Sequence, residues 1–412
     1  MKIRRILTVF LIIVMILSSL SFTGCNKKEE KIKVVIWHSS GDQQNVALND
    51  IVERFNASQD RIEVVAESQP SANFMGNVYS AVANGVGPDI IFNYASTVSD
   101  YLADDKVVDL GKYFDLDELK SLVPEAIYDE CTSFGDGKLY CLPLHTSGPV
   151  LFYDKALYSE LGLSVPTTWD ELTANAKKIY EVKGIPGFAA DSLTDLMQCL
   201  IIQNGSGYID TDNKKVLFNN SVTEESLAWF GSNVRAGYFT NEKDGAYFYN
   251  NFNAGLVGSF IASCGCEEYI TNENYGVAAI PQAGVTKWVP TWNRALIVFR
   301  SNESREAAAA EFLKFFTNAQ NSAQWSKASG NISPYSYTAD IDEYKNFLTE
   351  NKALAVVDAG KASSSMLPTI VGSSTVRTEL ERMAVLSISE SNSIKDILDE
   401  AEQKCNQALN NN

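Results

Sequence analysis

Short apolar segments alternate with amphipathic segments at the start of the body of this chain. The runs KVVIW, IEVVA and DIIF have the length and apolar character of buried strands. Between them, VALNDIVERF and FMGNVYSAVA carry apolar residues at the three- and four-residue spacing of a helix. This alternation predicts an α/β fold built on a largely parallel sheet.

Polar residues follow two of these predicted strands, at the point where each strand ends. His38 and Ser39 come directly after the first strand, and Asn93 and Tyr94 end the third. Ligands of open α/β sheets lie beyond the carboxyl ends of the strands. These four side chains are therefore predicted to face a binding cleft.

A second series of strands and helices begins near residue 149, and the chain is long for a single hydrophobic core. Within this series, Thr168 and Glu171 have the spacing of an N-terminal capping box. The polar run from His145 to Gly148 is flanked by Pro143 and Pro149 and has few backbone donors to satisfy. We interpret it as a crossing between two domains.

The N-terminus has the layout of a secretory signal. Three basic residues precede the apolar run from Ile6 to Leu20, which is short for a membrane-spanning helix of about 20 residues. Thr23-Gly24-Cys25 then resembles the lipobox of bacterial lipoproteins, although Phe22 stands where leucine is usual. We predict a signal peptide over residues 1–24, lipidation of Cys25, and a tether over 25–31. An ordinary cleaved signal with a stray cysteine is the alternative.

Net charge limits the possible partners of the processed chain. Loss of residues 1–24 removes three positive and no negative residues, so the formal charge changes from −17 to −20. A surface this negative repels nucleic acid and anionic lipid headgroups. The sequence thus predicts no nucleic-acid partner, and contact with the membrane through the lipid anchor only, on the outer face of the bacterial cell membrane.

The cysteines and histidines do not form a recognisable catalytic or metal-binding pattern. Six cysteines follow Cys25, and Cys131 and Cys141 bracket a hairpin-like segment that a disulfide could bridge. Buried free thiols are an equally open interpretation. Cys264-Gly-Cys266 lacks a nearby histidine cluster. No nucleotide-binding, serine-hydrolase or zinc-protease motif is present, so the sequence predicts no enzyme activity, no metal and no cofactor.

Several stretches together resemble a known family. GPVLFYDKALYSELGLSVPTTWDEL, GVGPDIIF, KVVDLGKYF, GKLYCLPL and YGVAAIPQAG occur in the order typical of family 1 extracellular solute-binding proteins of ABC importers. That family includes the maltose-binding and glycerol-3-phosphate-binding proteins. The match covers roughly residues 32 to 408. It implies a receptor, expected to be monomeric, that captures a small molecule and delivers it to the permease subunits of an importer.

The resemblance implies a periplasmic-binding-protein-like fold of type II. Two α/β lobes would be joined by a three-segment hinge around a ligand cleft, and would close over the ligand. Mapping the family pattern places lobe 1 at 32–144 plus 292–331 and lobe 2 at 145–291 plus 332–412. The crossings fall near His145, at Val289 to Thr291, and at Gly330 to Pro334.

The same mapping nominates the ligand-binding side chains. Carbohydrate sites combine polar groups, which bond the hydroxyls, with aromatic faces for the apolar C–H surface. The candidates are His38, Ser39, Phe74, Asn93, Tyr94, His145, Thr146, Ser147, Asp191, Ser263, Trp292, Asn293, Arg294, Tyr335 and Ser373. For Phe74, Trp292 and Tyr335 an ordinary core position is an equally open interpretation, and Asp191 could cap the next helix. We expect His38 and His145 to form hydrogen bonds or to support the hinge, and not to act as catalytic residues.

Two departures bear on the ligand's charge. The glycerol-3-phosphate branch has a glutamate where this chain has Ala95, and an arginine at about the position of Thr369. Arg377 is interpreted as a helix residue, so Arg294 is the cation best placed to meet a phosphate. We therefore expect a neutral mono- or oligosaccharide. A receptor for glycerol-3-phosphate or a glycerophosphodiester is the alternative, and a surface glycosidase is a more distant one.

Overall fold

The computed structural model describes residues 30–410 apart from 71–72, 103, 244, 246, 361–363, 366–367 and 369. The predicted signal peptide, the lipidation site Cys25 and most of the predicted tether lie outside the described residues, as does Thr369. Within the described part, no helix combines the length and apolar character needed to cross a membrane.

Strands and helices are interspersed along the described chain, with runs of consecutive strands and of consecutive helices. The strands are β1 (Ile32–His38), β2 (Ile62–Ser68), β3 (Ile90–Tyr94), β4 (Cys141–Ser147), β5 (Pro149–Asp154), β6 (Phe188–Ala190), β7 (Ile209–Asp210), β8 (Lys215–Val216), β9 (Phe239–Thr240), β10 (Ser259–Ser263), β11 (Tyr275–Ala278), β12 (Val289–Pro290), β13 (Trp292–Val298) and β14 (Ser364–Ser365). The helices are α1 (Asp42–Ser58), α2 (Phe74–Ala83), α3 (Ser99–Leu102), α4 (Leu116–Leu122), α5 (Glu125–Thr132), α6 (Lys155–Leu161), α7 (Trp169–Lys183), α8 (Leu193–Gln203), α9 (Ser221–Arg235), α10 (Tyr249–Asn253), α11 (Glu303–Phe316), α12 (Ala319–Ser329), α13 (Asp342–Glu350), α14 (Lys352–Gly360), α15 (Ser373–Leu386) and α16 (Ile394–Asn410). Short 3-10 helices cover Ala95–Val98, Leu110–Lys112, Cys264–Tyr269 and Ser336–Asp340.

The first lobe is built on a five-stranded sheet in the order β2-β1-β3-β13-β4. β1 pairs in parallel with β2 and β3, whereas β13 runs antiparallel to β3 and β4. The three N-terminal strands are parallel as predicted, but β13, which enters from much later in the chain, and β4 make the sheet mixed rather than largely parallel. Trp325 of α12 packs in this lobe's core against Phe92 and Phe316, with ring centroids 5.3 and 5.6 Å away.

The second lobe is built on another five-stranded sheet, in the order β11-β5-β10-β6-β9. Neighbouring residues of its strands point to opposite faces, as the pleat requires. Leu151 and Ile261 belong to one apolar core, whereas Phe152 and Phe260 belong to the core on the other face. Helices cover both faces, and α15 and α16 close the larger core.

The predicted capping box is confirmed at the start of α7. The backbone N–H of Glu171 donates to Thr168 Oγ1 at 3.2 Å, and the Glu171 carboxylate accepts from the Thr168 N–H at 3.3 Å. These two bonds satisfy N–H groups that have no partner within the helix.

The chain passes between the two sheets at neighbouring points. Gly148 is the single residue between β4 of the first sheet and β5 of the second, and Thr291 separates β12 from β13. Thr146 pairs with Asn293 across β4 and β13, and also forms an isolated bridge with Ile332. Thr146, next to the first predicted crossing, is thus bonded to the third and paired with β13 just after the second.

The predicted lobe limits stay a prediction, and two features bear on them. β4 keeps its pairing in the first sheet through Ser147, beyond the predicted limit at 144. Tyr335 and Tyr337 pack on the first lobe's core, whereas Phe347 packs on a core of the second lobe. Ile332, within the mapped segment, also packs on that core of the second lobe, so the chain contacts both lobes between Ile332 and Phe347.

All six cysteines after Cys25 are buried and carry free thiols. Cys131 lies in the last turn of α5 rather than in a hairpin, and Cys141 begins β4. Burial raises the pKa of Cys264 to about 11 and that of Cys405 to about 12. Cys264 and Cys405 therefore remain protonated near neutral pH and pack as small apolar groups.

Candidate functional site

A cavity of about 570 Å³ lies between the two lobes, where strands of both sheets end. Eight of the fifteen predicted ligand-binding residues line it, from both lobes and the crossings: Ser39, Tyr94, His145, Ser147, Asp191, Ser263, Trp292 and Arg294. Ligand contact by these residues stays a prediction, but the structure brings them to one place.

Three side chains on neighbouring strands form a row along the first lobe's wall. In the sheet, Arg294 of β13 is the register partner of Tyr94 on β3 and of His145 on β4. The Arg294 guanidinium lies 4.1 Å from the centroid of the Tyr94 ring, and its Nη1 donates to Asn93 Oδ1 at 3.3 Å. Arg294 is thus held by its own lobe through a cation–π contact and a hydrogen bond.

His145 is a neutral side chain in this wall. Its burial, together with the nearby Arg294 charge, lowers its pKa to about 3. Trp325 Nε1 donates to His145 Nδ1 at 2.9 Å. Because Nδ1 accepts this bond, the neutral ring carries its proton on Nε2 and has a donor left for a ligand oxygen.

Asp191 fixes part of the opposite wall. Its Oδ1 accepts from the backbone N–H of Phe248 at 2.7 Å, and the Cys266 thiol donates to Oδ2 at 3.8 Å. Lys243 Nζ donates to its carbonyl oxygen at 2.6 Å. Burial raises the pKa of Asp191 against these bonds. Asp191 follows β6 and does not cap α8, whose N-cap is Ser192.

Four predicted residues pack inside the lobes and do not line the cavity. Phe74 begins α2 and lies in the first lobe's core. The Tyr335 hydroxyl donates to the Pro143 carbonyl at 2.8 Å within the same core. His38 is 1% exposed, and its Nδ1 accepts from the Ser40 N–H at 3.3 Å. Ser373 Oγ donates to the Ile370 carbonyl at 2.7 Å, next to the start of α15.

The remaining three predicted residues lie directly behind the cavity wall. Asn93 accepts the Arg294 bond and donates to the Met75 sulfur. Thr146 Oγ1 donates to Asn293 Oδ1 at 2.7 Å, and Asn293 Nδ2 donates to Glu130 Oε2 at 2.8 Å. Burial raises the pKa of Glu130 to about 7 despite the Asn293 bond. These groups position the wall rather than line it.

Sequence reasoning missed three tyrosines that line the second lobe's wall. Tyr247 and Tyr249 stack with centroids 5.8 Å apart, and Tyr249 and Tyr269 stack at 5.3 Å. Tyr247 and Tyr269 are 50% and 46% exposed. Phe248, which lies between Tyr247 and Tyr249 in the sequence, is fully buried. The run YFYNN carried a signal, because it puts two amphipathic rings on either side of a core residue.

The cavity lining carries few charged side chains. Among the lining residues that the structure describes, Arg294 is the only lysine or arginine. Asp191 and Asp195 also line the cavity. Asp195 is paired with Arg377 at 3.1 Å. No group of three or more His, Cys, Asp or Glu side chains suited to a metal ion occurs in the part of the chain that the structure describes.

Comparison with known proteins identifies the family. The family model described as bacterial extracellular solute-binding protein matches residues 50–355. The sn-glycerol-3-phosphate-binding periplasmic protein UgpB of Yersinia enterocolitica is 21% identical over 364 residues, which cover 82% of each protein. The corresponding protein of Escherichia coli O1:K1 is 22% identical over 365 residues, with 81% of this chain and 82% of that protein covered.

Solved structures share the fold at low identity. The GacH receptor of Streptomyces glaucescens superimposes with a TM-score of 0.81 at 17% identity, covering 92% of this chain and 99% of that one. The cyclic alpha-maltosyl-1,6-maltose binding protein of Arthrobacter globiformis gives 0.77 at 24% identity, with 93% and 100% covered. The predicted two-lobe fold is confirmed by these likenesses. The chain belongs to the bacterial extracellular solute-binding proteins.

Proposed function

We propose that this protein is the receptor of an ABC importer for a neutral carbohydrate, which it binds by closure of its lobes. The observation that carries the proposal is the lining of the cavity, where aromatic rings from both lobes accompany hydroxyls and carboxylates. Tyrosine and tryptophan faces suit the C–H surface of a sugar, and the polar groups suit its hydroxyls. The GacH receptor is known in complex with acarbose, which agrees with such a ligand.

Glycerol-3-phosphate is the second candidate, because curated relatives that cover most of the chain bind it. A phosphate is usually met by arginine or lysine forks or by helix N-termini. Here Arg294 is already stacked on Tyr94 and bonded to Asn93, and two carboxylates share the lining. The charges therefore favour the neutral carbohydrate.

The proposed receptor stays at the cell surface and passes its ligand to a membrane partner. The protein acts as a monomer, tethered through lipidated Cys25 to the outer face of the cell membrane, and passes its ligand to permease subunits. It releases the ligand chemically unchanged, in contrast to a glycosidase. The membership in a solute-binding family supports this role. Of the two carboxylates in the cavity lining, Asp195 is already paired with Arg377, which is unlike the free acid pair of a glycosidase.

Calorimetric titration of residues 26–412 with maltose, maltotriose, glucose and sn-glycerol-3-phosphate tests the ligand class. We expect a neutral sugar to bind and to be recovered intact. Binding of glycerol-3-phosphate alone would overturn the neutral-carbohydrate proposal, and hydrolysis would overturn the receptor role. Tyr247→Ala should weaken sugar binding. Tyr79→Ala is the matched control, because Tyr79 is 49% exposed and does not line the cavity.

A further inference from the structure

We propose that the cavity continues into the second lobe as an apolar sub-pocket, and that the ligand is a carbohydrate carrying an apolar substituent. The sub-pocket is defined by Trp169, Leu196, Cys199 and Ile261, which line the cavity and also belong to the second lobe's larger core. This inference rests on the proposed carbohydrate-binding function and narrows its ligand to glycosides with an alkyl or aryl aglycone.

The face of α8 that lines the cavity changes character along its length. Ser192, Asp195, Leu196 and Cys199 line the cavity and share one face, because they are spaced by three or four residues. From Ser192 to Cys199 the helix rises about 10 Å. The N-terminal end presents a hydroxyl and a carboxylate, and the inner end presents a branched alkyl group and a thiol. Leu196 and Cys199 are each 3% exposed.

Trp169 and Ile261 complete the sub-pocket from two other elements. Trp169 is the first residue of α7, and its Nε1 donates to Gln203 Oε1 at 2.7 Å. Since the one polar atom of the indole is already bonded, the part left to the cavity is apolar. Ile261 lies on β10 and is 9% exposed. Burial raises the pKa of Cys199 well above its usual range, so its sulfur stays a neutral thiol.

The groups at the polar end of α8 are largely satisfied within the protein. Arg377 Nη2 donates to Asp195 Oδ1 at 3.1 Å, and Arg377 Nη1 donates to Gln198 Oε1 at 3.4 Å. Ser192 Oγ accepts from the Asp195 N–H at 3.1 Å. The polar end of α8 therefore has few unbonded polar atoms left for a ligand.

This lining selects against sugar hydroxyls and for apolar groups. A hydroxyl that entered the sub-pocket would lose its bonds to water and gain no strong partner among the four side chains. An alkyl or aryl group gains by leaving water. These four residues belong to the second lobe's core and also line the cavity, so a ligand group that reaches them contacts apolar side chains.

Affinity measurements on matched glycosides test the sub-pocket. We would titrate residues 26–412 with the methyl, n-hexyl and 4-nitrophenyl glycosides of glucose, galactose and maltose. For each sugar that binds, the hexyl or nitrophenyl glycoside should bind at least tenfold more tightly than the methyl glycoside. A gain confined to the hexyl series identifies an alkyl group, and one confined to the nitrophenyl series identifies an aryl group.

Variants of Leu196 separate the sub-pocket from stacking on the exposed tyrosines. Leu196→Phe fills the space and should reduce the preference for the larger aglycone to about twofold or less, whereas Leu196→Met keeps it. Melting curves establish that both variants fold. If Leu196→Phe does not fold, Cys199→Leu, which also fills the space, takes its place.

The outcomes keep the two proposals apart. Equal binding of methyl and larger glycosides would overturn the sub-pocket and leave the carbohydrate receptor intact. A tenfold preference that persists in the filled variant would place the aglycone elsewhere and also overturn the sub-pocket. Binding of glycerol-3-phosphate, with no glycoside bound, would overturn the carbohydrate receptor itself.

Discussion

The two walls of the cavity are built in different ways. In the first lobe, His145 and Arg294 project from sheet strands and are bonded to residues of that lobe before any ligand arrives. In the second lobe, Tyr247, Tyr249 and Tyr269 lie outside the sheet and stack mainly on one another. The first wall is therefore rigid and preformed, whereas the second presents exposed rings that can adjust to a ligand.

The largest expected effect comes from removing Trp325, which lines the cavity and also packs in the first lobe's core. Trp325→Ala deletes a fully buried ring and the donor to His145, and should lower the free energy of unfolding by about 3–5 kcal/mol. Equilibrium urea unfolding measures this loss. Trp325→Phe keeps an aromatic ring but not the hydrogen bond, and should cost less. A loss below about 1 kcal/mol in Trp325→Ala would contradict a preformed wall.

Glu130, which is bonded to the same wall through Asn293, makes the stability of the folded protein depend on pH. The folded pKa of Glu130 is about 7, against an ordinary value of 4.5. As the pH rises from 4.5 to 7, the unfolded chain loses this proton first, so the stability of the folded protein falls over that range. Because the side chain is only partly buried, we expect a loss of about 2 kcal/mol rather than the full value of the shift.

Unfolding experiments on Glu130→Gln at several pH values test whether ionisation of Glu130 lowers the stability of the folded protein. The glutamine oxygen can still accept from Asn293 but does not titrate. The variant should therefore be more stable than the wild-type protein at pH 8 and similar to it at pH 4.5. Equal stability at pH 8 would show that Glu130 ionises without cost.

The tyrosines of the second wall should affect binding rather than stability. Tyr247→Ala removes a half-exposed ring, so the free energy of unfolding should change by no more than about 0.5 kcal/mol. Its affinity for a bound saccharide should fall about tenfold, which corresponds to about 1.4 kcal/mol. Calorimetry on the variant, with Tyr79→Ala as control, measures the fall. Equal losses of affinity in Tyr247→Ala and Tyr79→Ala would show that a cavity ring contributes no more to binding than a surface ring.

The smallest effect is expected where the first wall meets solvent. Tyr94→Leu removes the ring beneath Arg294 and should destabilise the fold by about 0.5–1 kcal/mol, the usual value for an exposed cation–π contact. Tyr94→Phe keeps the ring face and should change little. Urea unfolding of the pair at matched salt measures the difference, and a larger loss in the phenylalanine variant would assign the effect to the hydroxyl.

The first wall was accessible from the sequence because strand ends meet at a sheet edge whatever follows them. Ser39 and Tyr94 were placed on that basis, and both line the cavity. The second wall depends on a contact between distant segments, since Asp191 bonds the backbone of Phe248 and so sets Tyr247 and Tyr249. Nothing in local spacing specifies such a bond.

The residues that do not line the cavity illustrate a second limit. Phe74 and Tyr335 were nominated as aromatic faces for a ligand, yet both lie in the first lobe's core. An aromatic side chain near a cleft gains as much by packing inward as by facing a ligand, and the sequence does not say which neighbours are available. Ser373 similarly bonds the backbone of its own helix start.

The position of Thr146 has a mechanical consequence. Because its backbone is bonded to Ile332 at 2.7 and 2.9 Å and paired with Asn293, a rotation of one lobe against the other must take an axis that passes close to this residue. His145 and Trp292 lie close to this axis and therefore move little when the lobes rotate. Side chains farther from the axis sweep through longer arcs. In such a rotation the groups beside the axis keep nearly the same positions, and the opening of the cleft is set by those that travel farthest.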